Sequence, residues 1–405
     1  MMKPHAIRAL PLAGTALTVS ALLVACGGGG GGGGGTDTTS TGTMRLSLTD
    51  APACGYDSAF VTVEKIRVHR TSSAADGDAG WSEIVLGTPQ RVDLLTLTNG
   101  SLLPLGQTEL PAGRYTQMRL VLAANTPANP LANAITPTGG QPTALTTPSG
   151  QQSGLKMNVD LDVPAGLVAD FAIDFDACKS FVKAGNSGKH LMKPVLSVIP
   201  ILSSAGQRIV GFVDPSLVTD GATVSAQLGG TPVRATPPDP TGRFELYPVL
   251  PGTYDLVITA SGRVNAVMTG VPVAETTTTV IGSDAVRVNT SISASTATAS
   301  GVVAVGGDPA DTGASVRAMQ TLTGGPTIEV GYSAADPTTG AYSMMLPGGA
   351  PARLAYAEGA TSFAFISDGT AAGVYRLEAS APGSALQTFD ISLPPGVLKD
   401  FNLTP

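Results

Sequence analysis

The densest set of groups able to do chemistry in this chain is acidic. It lies in two neighbouring stretches, Lys156-Met157-Asn158-Val159-Asp160-Leu161-Asp162-Val163 and Ala169-Asp170-Phe171-Ala172-Ile173-Asp174-Phe175-Asp176. Alternate residues of a strand face opposite ways, so the two stretches read as an antiparallel hairpin closed by residues 164–168. Met157, Val159, Leu161 and Val163 then meet Phe175, Ile173, Phe171 and Ala169 on the core face. That register gathers Asp160, Asp162, Asp170, Asp174 and Asp176 on the outer face, beside Lys156 and Asn158. Five carboxylates on one face repel one another, and a hard cation with oxygen ligands would relieve the repulsion. They are therefore a candidate calcium site, the one cofactor the sequence suggests. The competing reading is a solvated polar face with Lys156 paired to Asp176, because a flat strand face seldom wraps the about six to eight ligands calcium takes. Asp50 and Asp57, either side of Cys54, would add ligands or cap turns.

Catalytic groupings are sparse. Beyond the first 25 residues the only histidines are His69 and His190, both read as surface residues and neither in a His-Glu-x-x-His motif. Ser180-Phe181-Val182-Lys183 fits Ser-x-x-Lys, but the partner motifs are missing and a β-rich chain leaves no room for the helix that pattern needs. Gly185-Asn186-Ser187-Gly188-Lys189 is too short for a phosphate loop and reads as a hairpin turn. An enzyme would require a buried acidic cluster around Asp174 and Asp176 with shifted pKa values. Trp81, the single tryptophan, follows Asp76-Gly77-Asp78-Ala79-Gly80 at a strand start. Exposed and coplanar with Tyr56, Tyr332 or Tyr375 it would form a sugar-binding platform. Packed inward it would anchor the sheets, the commoner use of a large ring.

The elements that position these groups are strands. Period-2 runs begin at Met44 and recur at 60–68, 84–86, 92–95 and 115–122, with Leu110-Pro111-Ala112-Gly113-Arg114 as a turn. A Pro-, Thr-, Gly- and Asn-rich excursion covers 124–154, and strands follow at 155–163, 169–178 and 194–202. The remainder repeats itself: Val210-Gly211-Phe212 and Ser300-Gly301-Val302 open two copies. Each copy carries a turn leading to an aromatic, Asp239-Pro240-Thr241-Gly242-Arg243-Phe244 and Asp336-Pro337-Thr338-Thr339-Gly340-Ala341-Tyr342. Each then has Leu-Pro-Gly, at 250–252 and 346–348. The fold class expected is all-β, as tandem antiparallel β-sandwiches.

At the N-terminus, Lys3 and Arg8 precede a short apolar run and then Leu23-Val24-Ala25-Cys26. Basic residues, a short apolar core and small residues before a cleavage point make a secretory signal, and the apolar run is too short and interrupted to span a bilayer. Leu-Val-Ala-Cys resembles the lipobox of a bacterial lipoprotein. The resemblance implies removal of residues 1–25, lipid on the Cys26 thiol and on the new amino terminus, and a membrane partner reached through that anchor. At about 0.8 kcal/mol per buried methylene, two or more chains hold stably. Gly27, where aspartate would signal inner-membrane retention, favours the outer membrane, on its periplasmic face or at the cell surface. Nine glycines at 27–35 and a Thr/Ser/Gly stretch make 26–43 a flexible tether. Loss of the signal leaves 21 basic and 30 acidic residues, a net charge of −9 that excludes a basic nucleic-acid footprint. With Cys26 lipidated in an oxidising compartment, Cys54 and Cys178 are left to form a disulfide, two buried free thiols being the other outcome. Closing a loop of roughly 120 residues would stabilise by up to about 5 kcal/mol.

Two further resemblances emerge from these motifs. Leu46-Ser47-Leu48-Thr49-Asp50-Ala51-Pro52, Gly80-Trp81-Ser82-Glu83, Val92–Gly100 and Asp174-Phe175-Asp176-Ala177-Cys178-Lys179-Ser180 make residues 44–203 resemble the bacterial lipoprotein family called domain of unknown function 4382. Gly211-Phe212-Val213, Gly242-Arg243-Phe244 and Leu250-Pro251-Gly252-Thr253-Tyr254-Asp255-Leu256 make 207–292 resemble the carboxypeptidase regulatory-like (transthyretin-like) sandwich. Residues 297–405 resemble it more weakly, since Ala350-Pro351-Ala352-Arg353 stands where Gly-Thr-Tyr should continue. The carboxypeptidase regulatory-like resemblance implies a non-catalytic accessory fold, sometimes grouped with carbohydrate-binding-like sandwiches, while the 4382 resemblance implies location and architecture but no activity or site residues. The reading is a non-enzymatic envelope lipoprotein with a structural or binding role. The alternatives are a carbohydrate-binding accessory lipoprotein and a calcium-binding surface protein, with a glycan or an envelope protein as partner.

Overall fold

A computed structural model describes residues 40–50, 55–147, 153–185, 187–310 and 312–405. The signal segment, Cys26, the glycine run and Cys54 lie outside the described residues. The regular structure of these residues is almost entirely strand, and among them no helix is long and apolar enough to cross a membrane.

The first sandwich packs a four-stranded sheet against a larger one. The smaller runs in the order Leu196–Ile201, Val168–Phe175, Thr41–Asp50, Leu103–Pro111. Between the sheets lies a core of Met44, Leu46, Leu48, Val61, Val63, Met118, Leu120, Leu161, Phe171, Ile173 and Phe175. The alternation that marked these strands holds, but the hairpin expected of 155–163 and 169–176 does not form. Leu155–Val163 pairs antiparallel with Gly113–Leu122, in the large sheet. Val168–Phe175 pairs parallel with Thr41–Asp50 and antiparallel with Leu196–Ile201, in the small one. The two apolar rows face each other across the core instead of lying side by side. Period 2 says which face of a strand is buried, and both arrangements bury the same face, so the pattern alone cannot distinguish them. The excursion at 124–154 also contributes two short strands, Ala134–Pro137 and Thr143–Thr146.

The two C-terminal copies share one plan. Ile209–Phe212 lies between Arg243–Leu246 and Thr279–Ile281, and Thr296–Val305 pairs with Ala341–Pro347 on one side and with Val397–Leu398 and Phe401–Leu403 on the other. In each copy the glycine sits opposite the aromatic, Gly211 against Phe244 and Gly301 against Tyr342. A Cβ on Gly211 would stand 2.4 Å from the Phe244 ring, so the glycine leaves the space the ring fills. The opposing sheets carry Thr223–Leu228 paired with Gly252–Thr259, and Ser315–Thr321 paired with Val374–Ser380. Tyr254 Oη donates to Leu250 O at 2.8 Å and Tyr375 Oη to Pro347 O at 2.5 Å. Tyr375 is thus the counterpart of Tyr254, separated from its Leu-Pro-Gly turn by an insertion.

That insertion explains the broken motif at Ala350-Pro351-Ala352-Arg353. The chain leaves the third sandwich, and Ala352–Ala355 pairs in parallel with Ala266–Val273 of the second, with Ile366–Ser367 beyond it. Leu354, Tyr356, Phe363 and Phe365 pack on the second sandwich's core of Ile209, Val224, Phe244, Leu256, Ile258 and Met268. The third sandwich therefore lends an arm that closes the open side of the second. A separate small cluster, Val257, Val267, Leu322 and Ile328, seals the sheets of these two sandwiches against each other.

Candidate functional site

The outer faces of these sheets meet at one junction, and that is where the acidic residues collect partners. On Val168–Phe175 the odd residues 171, 173 and 175 enter the core, so Asp174 points the other way, under strand Thr231–Thr236 of the second sandwich. Arg234, 3% exposed, ion-pairs with Asp174 and also donates to Thr49 Oγ1 at 2.5 Å. Asn99 extends the contact: its Nδ2 donates to Pro237 O at 3.0 Å and its Oδ1 accepts from Glu245 N at 3.1 Å.

Asp176 ends the strand and caps the single turn Ala177–Ser180, accepting from Lys179 N at 3.0 Å. That turn aims the Lys179 ammonium at the third sandwich, where it meets buried Glu329 Oε1 at 2.9 Å and lies 4.0 Å from Asp176. Glu329 also pairs with Arg317 at 3.3 Å, and Arg317 with Glu378 at 2.6 Å. Buried Gln227 of the second sandwich clasps the Glu329 backbone both ways, donating to its oxygen at 2.8 Å and accepting from its nitrogen at 2.9 Å. Gly185 N of the first sandwich donates to Asp336 of the third at 2.5 Å. The group holds four carboxylates, Asp174, Asp176, Glu329 and Glu378, against three cations, Arg234, Lys179 and Arg317. Burial, only partly offset by Lys179, pushes the Asp176 carboxyl up to about 6, and the charges of Asp174 and Glu329 add to the rise.

A cavity of about 210 Å³ lies among Asp176, Lys179, Ser225, Gln227, Glu329 and Tyr332. It is smaller than the roughly 300–1,000 Å³ of ordinary ligand pockets. Of its charged groups, Lys179 and Glu329 already pair with each other across two sandwiches and Asp176 is engaged with Lys179, and no nucleophile with an adjacent base is among them. The junction therefore meets the requirement for buried, shifted acids in part, but what it does with them is fasten three sandwiches together.

The other sequence-predicted residues are placed apart. Asp160 is bidentate to Arg114 at 2.5 and 2.7 Å in the large sheet of the first sandwich, and Asp162 is exposed on the same strand. Asp170 pairs with Arg45, its register neighbour in the small sheet. Four of the five aspartates so divide between two sheets and Asp176 caps a turn, instead of all sharing one face, and among the described residues no three His, Cys, Asp or Glu side chains are grouped to hold a metal ion. Cys178 is disulfide-bonded, while Cys54 and Cys26 are outside the described residues. Trp81 is half-buried: its indole donates to Ala75 O at 3.0 Å, and Arg67 and Arg119 stack on it at 4.5 and 4.8 Å. Tyr375 is buried, Tyr332 lines the junction under Lys179, and Tyr56 packs on Phe181 and His190, so no coplanar platform forms. His190, read from the sequence as a surface residue, is buried, because strand Lys189–Met192 lies inside the sheet beside Thr143–Thr146.

The sequence gives little notice of the junction's key partners. Arg234 stands in Thr231–Thr236 at a polar position of an ordinary alternation, and nothing in that pattern says the polar face will be covered by another sandwich. The same is true of Glu329 and Gln227.

Comparison with known proteins adds a domain and little else. Residues 41–194 match the family described as domain of unknown function (DUF4382). No curated protein matches the chain. A type II cohesin–X-dockerin complex from Acetivibrio cellulolyticus is 20% identical over 27% of this chain and 67% of its own, with a TM-score of 0.19. A streptococcal ancillary pilin and the Corynebacterium diphtheriae major pilin SpaA are each 10% identical over 90% of this chain, with TM-scores of 0.18 and 0.20. Superpositions this distant carry no argument about what this chain does. The likeness of 207–292 and 297–405 to carboxypeptidase regulatory-like sandwiches rests on their motifs alone.

Proposed function

We propose that this chain is a non-enzymatic lipoprotein of the cell envelope that holds three joined β-sandwiches on a flexible tether from a lipidated Cys26, in a structural or binding role. The observation that carries this reading is the junction: its buried charged groups bond sandwich to sandwich and leave no open, equipped pocket. The lipobox-like Leu23-Val24-Ala25-Cys26 and the glycine run supply the anchor, and Gly27 favours the outer membrane. The two C-terminal sandwiches serve as accessory modules that extend the family domain away from the bilayer. Labelled palmitate fed to expressing cells should enter the wild-type protein and not the Cys26→Ser variant, which should leave the membrane fraction. Palmitate-free wild-type protein in the soluble fraction would overturn the anchored part of this reading.

A further inference from the structure

A cleft of about 590 Å³ lies away from the junction, between residues 272–286 of the second sandwich and residues 356–361 of the arm. Its size falls within the range of small-ligand sites. Tyr356 forms one wall, fixed by its backbone N–H to Thr269 O at 2.9 Å and half-buried against the second sandwich's core. Exposed Glu358, Thr361 and Thr277 also line the cleft. Among the described residues no hydrogen bond or ion pair engages the Tyr356 hydroxyl, the Glu358 carboxylate or the hydroxyls of Thr277 and Thr361. By contrast, Thr278 and Thr279, on the same connection, are engaged with Ala205 O and Pro272 O. Burial, helped by the Glu358 charge, raises the Tyr356 pKa, so the hydroxyl stays protonated and able to donate.

We propose that this cleft is a carbohydrate-binding site, in which a sugar ring lies on Tyr356 and its hydroxyls bond to Glu358, Thr361 and Thr277. An aromatic ring with a carboxylate and free hydroxyls suits a neutral polyol, which both donates and accepts. A single carboxylate is too few ligands for a hard cation, and the absence of a basic group disfavours an anion. The site exists only because the third sandwich's arm closes over the second, so neither copy alone contains it. It depends on neither the lipid anchor nor the junction.

The test is titration of the full chain with maltotriose, cellotriose and tri-N-acetylchitotriose by calorimetry and saturation-transfer NMR. Binding of at least one trisaccharide is expected, weakened about tenfold or more in Glu358→Gln, as befits loss of a hydrogen bond to a charged group. It should vanish in Ala360→Trp, which fills the cleft. Unchanged urea midpoints of both variants show that the fold is intact, and Thr361→Ala gives a second, milder reading should either one destabilise. No binding of any trisaccharide in the millimolar range, or binding that survives Ala360→Trp, would overturn the assignment. Palmitate labelling at Cys26 would be untouched by either result.

Discussion

Replacing Asp176 by asparagine should stabilise this protein at neutral pH, although it removes an ion-pair partner of Lys179. Asparagine keeps the oxygen that accepts from Lys179 N and caps the turn, and it discards only the charge. The Asp176 carboxyl rises from 3.8 to about 6 in the folded protein. Between those values the folded state holds a proton the unfolded state has released. Stability from this group is therefore present below about pH 4 and lost as pH rises through about 6. At about 1.4 kcal/mol per pH unit the shift amounts to about 3 kcal/mol. Because 22% of the side chain remains in contact with water, the expected figure is nearer about 2 kcal/mol. Urea unfolding of wild type and Asp176→Asn should agree within error near pH 3.5 and diverge between pH 4 and 7, with the variant the more stable above pH 7. A difference that does not change with pH, or a variant that is less stable at pH 8, would show that the Asp176 carboxyl is not raised by burial.

Other perturbations test the remaining parts. Arg234→Leu strands the Asp174 charge under the second sandwich and should cost about 3–5 kcal/mol in urea unfolding, whereas the double change with Asp174→Leu should recover most of it. His190 has a pKa lowered chiefly by burial and also by Lys183. Its contribution is present above about pH 6.5 and lost as pH falls below, so His190→Gln should flatten the acid limb of the stability profile. Since the arm's Phe363 packs on the second sandwich's core beside Gly282, Phe363→Ala should cost about 1–2 kcal/mol, less than full burial would. Residues 207–292 expressed without the arm should melt lower than they do within the whole chain.

The strands and sandwich architecture were legible because each strand buries one face, and Met44, Leu46, Leu48 or Phe171, Ile173, Phe175 announce that face by alternation. The repeated motifs were legible too, Gly211 with Phe244 and Gly301 with Tyr342, down to the residues where the second copy's motif fails. What the failure meant was not, because an inserted arm that pairs with a neighbouring sheet has no local signature beyond the interruption. Alternation also could not say which sheet a strand joins, so Leu155–Val163 and Val168–Phe175 looked like a hairpin although they face each other across the core. The junction was hidden for a related reason. Asp174, Arg234 and Glu329 occupy positions that are solvent-facing within their own sandwiches, and only the packing of one sandwich on another buries them. Trp81 shows the same limit, its stacking partners Arg67 and Arg119 lying 14 and 38 positions away along the chain.

The junction joins the three sandwiches into one body. Spin labels at exposed Glu109 in the first sandwich and Thr388 in the third, introduced as Glu109→Cys and Thr388→Cys with Cys26→Ser, report it directly by pulsed dipolar distance measurement. A single narrow distance distribution that broadens on adding Arg234→Leu is the expected result. A broad distribution already present without the Arg234 change would show that the sandwiches move independently and that the junction does not join them.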